Sequence, residues 1–128
     1  MKRTDKGMDA VEDLVESVNE VTVGGRISAP PIERELPSGD MVVQLRLVVP
    51  RSAPRLRVRG GGATVDTIDI ACWTKALQRK AVRRKPGDFV TVRGALRRRF
   101  WRSPGGPASR YEVEATALGQ VTSRARPR

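Results

Sequence analysis

The chain has 128 residues, enough for one domain with a single core, and its formal charge of +11 at an isoelectric point near 11.3 draws a polyanion, nucleic acid or an anionic membrane surface. Histidine is absent and the fourteen carboxylates have no metal-ligand or acid/base spacing, which argues against an enzyme and against any cofactor or metal. No apolar run approaches the ~20 residues of a membrane span, the start MKRTDKGMDA lacks the apolar segment of a signal peptide, and the lone Cys72 excludes an intrachain disulfide, so the expectation is a soluble, cytoplasmic protein.

Residues 1 to 6 read as a frayed polar start. Asp9 caps a short amphipathic helix, with Glu12 reaching back and Val11, Leu14, Val15 and Val18 on one side. This extension, residues 1 to 18, carries −2, so the basic character belongs wholly to residues 19 to 128. From Asn19 the period is two. Val21, Val23 and Ile27 alternate with Thr22, Arg26 and Ser28, and Gly24-Gly25 predicts a bulge, or a bend where one barrel strand serves two sheets. Pro30-Pro31 ends the strand and Leu36 to Asp40 (LPSGD) is a turn. Met41 to Val49 is a second strand, with Met41, Val43, Leu45, Leu47 and Val49 inward and Gln44 and Arg46 outward. Residues 50 to 64 then form a long loop with Arg51, Arg55, Arg57 and Arg59 and no acid. It is either a flexible arm that closes over a polyanion backbone or a solvated linker.

A third strand, Val65 to Trp73, puts Ile68, Ile70 and Cys72 inward and Thr67, Asp69, Ala71 and Trp73 on the opposite face. Thr74 to Arg84 has helical character with Thr74 as its cap, and Lys85-Pro86-Gly87-Asp88 breaks it. The fourth strand, Phe89 to Trp101, buries Val90, Val92 and Leu96 and bends at Gly94. Its second half lines Arg97, Arg99 and Trp101 on one face and Leu96, Arg98 and Phe100 on the other. A strand that binds single-stranded nucleic acid needs cations for phosphates and a flat aromatic for a base. A solvated arginine face with Trp101 in the core of the hairpin tip reads the same way. Arginine outnumbers lysine twenty to five, which suits forked phosphate contacts, and a high-G+C genome gives the same bias. Ser103 to Pro107 is the hairpin tip, Arg110 to Leu118 returns as the fifth strand with Tyr111, Val113, Ala115 and Ala117 inward, and 120 to 128 is a short basic tail. Five strands with one helix between the third and fourth is the order of a mostly β, five-stranded OB-fold barrel over residues 19 to 119.

The chain resembles the bacterial single-stranded DNA-binding proteins, and among them the actinobacterial-looking branch. The matching pieces, in order, are Asn19-Glu20-Val21 with Val23-Gly24-Gly25-Arg26, Leu36 to Asp40, Asp66 to Trp73 (DTIDIACW), Lys85 to Asp88, Gly94 to Trp101 (GALRRRFW) and Arg110 to Glu114 (RYEVE). The resemblance implies an OB-fold that pairs through its first strand into homodimers and then tetramers, and that binds single-stranded DNA with little sequence preference. It implies that bases stack on Trp73 and Trp101. The family's further stacking aromatic falls on Thr67, and its aromatic in the long loop has no counterpart between Arg51 and Thr64, so the implied platform has fewer aromatics and more charge. The expected DNA contacts are Trp73 and Trp101 with Arg46, Arg51, Arg55, Arg57, Arg59, Arg97 and Arg99.

Principal members of that family end in a flexible linker and an acidic tip that docks other proteins, whereas this sequence ends SRARPR. The expectation is an accessory, nucleoid-associated paralogue working in replication, recombination, repair or DNA uptake. The alternative is an adaptor of primosomal type, an OB dimer that holds a partner protein on DNA through the N-terminal helix. That helix otherwise covers its own barrel. A third reading is an RNA chaperone on the same fold, which only the 2′-hydroxyl separates from a DNA binder.

Overall fold

The computed structural model describes residues 17–52 and 64–121. The expected N-terminal helix, the tail beyond residue 121 and the loop arginines Arg55, Arg57 and Arg59 lie outside the described residues. Within them the chain forms β1 (Val21–Ile27), β2 (Ile32–Glu35), β3 (Met41–Pro50), β4 (Val65–Cys72), α1 (Lys75–Ala81), β5 (Phe89–Ser103) and β6 (Gly106–Val121).

The sheet closes on itself because β1 serves two neighbours. It pairs with β5 from Val21 to Arg26 and with β3 at Arg26 and Ile27, so the ring runs β1-β5-β6-β4-β3 and back to β1. Closure encloses one core, in which Ile27, Leu45, Leu47, Ile70, Val90 and Val92 are almost wholly buried. Helix α1 adds Leu77 and Ala81 to that core. Thr74 caps it as expected, its Oγ1 accepting from Leu77 N at 3.2 Å. The helix stops at Ala81 rather than Arg84, and the chain runs on through bonds from Arg83 N to Lys80 O and from Arg84 N to Ala81 O. The glycine pair marks the partner switch of β1. A Cβ on Gly25 would lie 2.5 Å from Val48 O and 3.0 Å from Val49 Cγ2, so only glycine lets β3 approach there.

Several inward assignments fail, each for a reason of geometry. Strand β2 was not expected at all. All four of its residues are exposed, and it pairs with β3 as a short edge strand, so it carries no alternation to detect. Met41 is 38% exposed, because it lies at the rim opposite Glu35 of that edge strand. Leu96 and Tyr111 are 46% and 58% exposed. The pairing of β1 with β5 begins at Val21 opposite Gly94, which leaves Leu96 past the end of β1, and β6 pairs with β4 only at Val113 and Glu114, so beyond the Leu96–Val113 pair β5 and β6 leave the barrel as a two-stranded ribbon with no core beneath it. Asn19 marks the point of departure, its side chain donating to Leu96 O at 2.9 Å and accepting from Leu96 N at 2.8 Å.

Ala117 is also exposed, and Leu118 is buried in its place. Arg93 pairs with Ala117 but Gly94 pairs with Ala115, so Thr116 is an extra residue on β6 and the in-out alternation reverses across it. The Thr116 hydroxyl donates to Arg93 O at 3.1 Å and stabilises the bulge. Gly94 is needed there, since a Cβ would lie 2.8 Å from the Glu114 carbonyl carbon and 3.0 Å from Ala115 Cα. Strand β6 also starts four residues before Arg110 and includes Gln120, which the sequence placed in the tail.

Candidate nucleic-acid interface

The outward side chains of the strands converge on one face of the barrel and on the adjoining side of the ribbon. Register places Gln44 of β3 beside Ala71 of β4, Arg46 beside Asp69, and Ala71 beside Glu114 of β6. On the ribbon, Arg97 pairs with Glu112 and Arg99 with Arg110. Alternation then brings Arg97, Arg99 and Trp101 to this side, as expected. Trp73 follows the end of β4, half-buried.

Each tryptophan lies against an arginine. The Arg99 guanidinium carbon is 5.7 Å from the centre of the Trp73 ring, and that of Arg110 is 5.5 Å from Trp101. Trp101 is 39% exposed and lines an open cleft of about 450 Å³ with Arg34, Gln44, Arg99, Arg110 and Glu112. It is therefore no core residue. Arg46 joins through an adjacent cleft shared with Arg34, Asp69 and Arg110. Trp73 borders a third, with Lys80 of α1 and Glu114.

The sequence reading missed the carboxylates of this face. Asp69 bridges two arginines, accepting from Arg46 Nε and Arg110 Nη1 at 3.1 Å each. Glu114 accepts from Arg97 Nε at 2.7 Å, and Glu112 lies 3.8 Å from Arg99 Nη1. The acids are not scattered in space, because Arg110, Glu112 and Glu114 alternate along β6 and so share the side of the arginines. That period was legible in RYEVE; the registers joining it to Asp69 and to β5 were not. Arg110 and Arg34 are the cations that sequence reasoning overlooked. Glu112 is 3% exposed, and burial pushes its carboxyl above the ordinary glutamate value while Arg99 and Arg110 pull against that shift. Burial also pushes the Cys72 thiol up to about 11, so it stays protonated near neutrality.

Arg51 is at the base of the long loop, where its N donates to Thr64 O at 2.9 Å. Its Nη2 and Nε reach Asp66 Oδ1 at 2.8 and 3.1 Å, a contact that holds the Asp66 carboxyl below its usual range. Of the expected contact residues, the fold thus brings together Trp73, Trp101, Arg46, Arg97 and Arg99 and leaves Arg51 paired at the loop base.

Residues 18–121 match the Single-strand binding protein family. The chain belongs to that family. The matched span takes in the whole barrel and the ribbon, and the family is a DNA-binding one without enzymatic activity. Among solved structures, the fold is similar to that of a Plasmodium falciparum SSB in complex with ssDNA, at 20% identity and a TM-score of 0.66, over 84% of this chain and 97% of the other. The single-strand binding fold accounts for the closed ring of β1, β3, β4, β5 and β6, with α1 between β4 and β5.

Proposed function

We propose that this chain binds single-stranded DNA with little regard for sequence, using the barrel face and the near side of the ribbon. The observation that carries the reading is the juxtaposition of Trp73 with Arg99 and Trp101 with Arg110 along one continuous face. A base stacks on an indole whatever its identity, and a guanidinium beside that indole meets the phosphate next to the base. Arg46, Arg97 and Arg99 supply further phosphate contacts, as do Arg51, Arg55, Arg57 and Arg59 of the loop once DNA is present. Each stacked base contributes ~1 to 3 kcal/mol, so two tryptophans need the cations around them to reach useful affinity.

The chain assembles through β1. Residues 21–25 of that strand pair with β5 on one side, and among the described residues no strand covers their other edge. A second copy laid antiparallel along it would satisfy those backbone groups and extend the sheet. In the cell the protein acts as an accessory, nucleoid-associated coat on exposed DNA.

The test is a salt titration of oligo-dT binding to wild type, Trp73→Ala and Trp101→Ala, monitored by tryptophan fluorescence. Quenching in the wild type, a steep fall in affinity with salt and a loss of affinity in each variant are expected. Salt-independent binding or an absence of quenching overturns the proposal. Competition between poly-U and poly-dT tests the RNA reading on the same samples.

A further inference from the structure

The β5–β6 ribbon has a second side, and its chemistry differs from the first. On the near side Arg97, Arg99 and Arg110 each face a carboxylate. On the far side the Arg98 guanidinium lies between two rings, its carbon 5.2 Å from the centre of Phe100 and 5.2 Å from that of Tyr111. Ser109 Oγ accepts from Arg98 Nε at 3.2 Å and from Nη2 at 3.0 Å, and the Tyr111 hydroxyl is 3.5 Å from Nη1. Among the described residues no carboxylate pairs with Arg98. The rings are nevertheless open, Phe100 at 72% and Tyr111 at 58% exposure, and Leu96 at 46% continues the patch toward the barrel.

An arginine held in place by hydroxyl partners has no carboxylate competing for it, and two exposed rings beside it leave apolar surface in water that an occupant would cover. From this arrangement we infer that the far side of the ribbon is a second binding surface for single-stranded nucleic acid. Bases stack on Phe100 and Tyr111, Arg98 meets the phosphate between them, and the strand leaving the Trp101 cleft turns around the edge of the ribbon to reach it. The inference rests on the proposed DNA-binding reading and extends it to a face where no role has been assigned.

The size of the patch favours nucleic acid over protein. Two strands about eight residues long, at ~3.3 Å per residue and ~4.8 Å between strands, present a face of roughly 26 by 10 Å, far below the ~800 Å² per partner of a stable protein interface. A second copy seated here through a two-fold contact would bring two such sides together, each with Arg98 and Arg102 and no carboxylate paired to them among the described residues. A nucleic-acid strand needs only a ring, a cation and a narrow track.

The experiment compares wild type, the double variant Phe100→Ala/Tyr111→Ala, and Arg98→Gln, binding a short oligo-dT that spans only the near side and a long one that can pass around the ribbon. Since these residues lie outside the core, folding should be unaffected, and melting curves check it. The double variant should bind the long oligomer ~10-fold or more weakly and the short one as well as wild type does, with undiminished tryptophan quenching. Arg98→Gln should lower the salt slope for the long oligomer by ~0.7 and leave that for the short one unchanged. Photocrosslinking of iodouridine-substituted DNA should label Phe100 or Tyr111. Unchanged affinity for both lengths together with no crosslink overturns the inference and leaves the near-side proposal standing, whereas loss of all quenching by wild type overturns that proposal itself. If the double variant changes only the sedimentation of the free protein, the far side is a contact between copies and the inference fails.

Discussion

Replacing Glu114 by Gln should tighten binding to single-stranded DNA, although it alters no expected contact residue. Glu114 Oε1 is 2.7 Å from Arg97 Nε, with 37% and 58% of the two side chains exposed. While the pair holds, a phosphate that takes Arg97 sets a carboxylate free. That carboxylate gathers a cation as the phosphate sheds one, and the contact releases no net counterion. In Glu114→Gln the guanidinium starts uncompensated, so the slope of log K against log salt should steepen by ~0.7 for this one phosphate. The same factor corresponds to ~5-fold tighter binding at about 0.1 M salt, shrinking to ~2-fold at about 0.3 M. An exposed pair of this kind contributes only ~0 to 1 kcal/mol to folding, so stability should hardly move. The assay is tryptophan quenching by oligo-dT across a range of salt, for wild type and variant in parallel. An unchanged slope, or weaker binding at every salt concentration, would refute the idea that the carboxylates of this face compete with phosphate.

Other expectations come from the fold and from Glu112. Gly94→Ala drives a methyl into the Glu114 backbone at the bulge and should cost ~3 kcal/mol or more in a denaturant melt. Leu118→Ala should cost ~2 to 5 kcal/mol, and Leu96→Ala less than ~1 kcal/mol, because only the former empties the core. Equal losses would contradict the placement of Leu118 in the core and Leu96 outside it. Because the folded pKa of Glu112 is raised, its protonated form favours the native state; that contribution is present below the unfolded value and is lost as pH rises through the folded one. Glu112→Gln, which mimics the protonated acid, should therefore match wild type in acid and exceed it near neutrality in urea melts, and a variant less stable at neutral pH would show that the pair with Arg99 outweighs burial.

Much of the architecture could be read along the chain because each signal is local. The two-residue period at Val43, Leu45 and Leu47, the Thr74 cap, the Pro86-Gly87 turn and the glycine pair of β1 depend on neighbours within a few positions, and the structure places each as its pattern implies. Alternation likewise put Trp73 and Trp101 on outward faces, and it was the resemblance that implied a stacking role for them. Three decisions were made only in three dimensions. The first is the fate of Leu96 and Tyr111, which follow a core pattern but lie beyond the last pairing of β1 with β5, Leu96 at the rim of the barrel and Tyr111 past it. The second is the reversal at Thr116, since one extra residue on β6 is visible only against the register of β5. The third is the charge of the candidate face. Asp69 is 41 residues from Arg110 in sequence, and Glu114 is 17 from Arg97, yet each pair is in contact. The alternation of side chains is written in its own segment, whereas what covers a given face, and the partner of a charge on it, depend on which strands the closed ring lays side by side. That is why the excess of arginine was evident from composition, and the carboxylates that hold it in check were not.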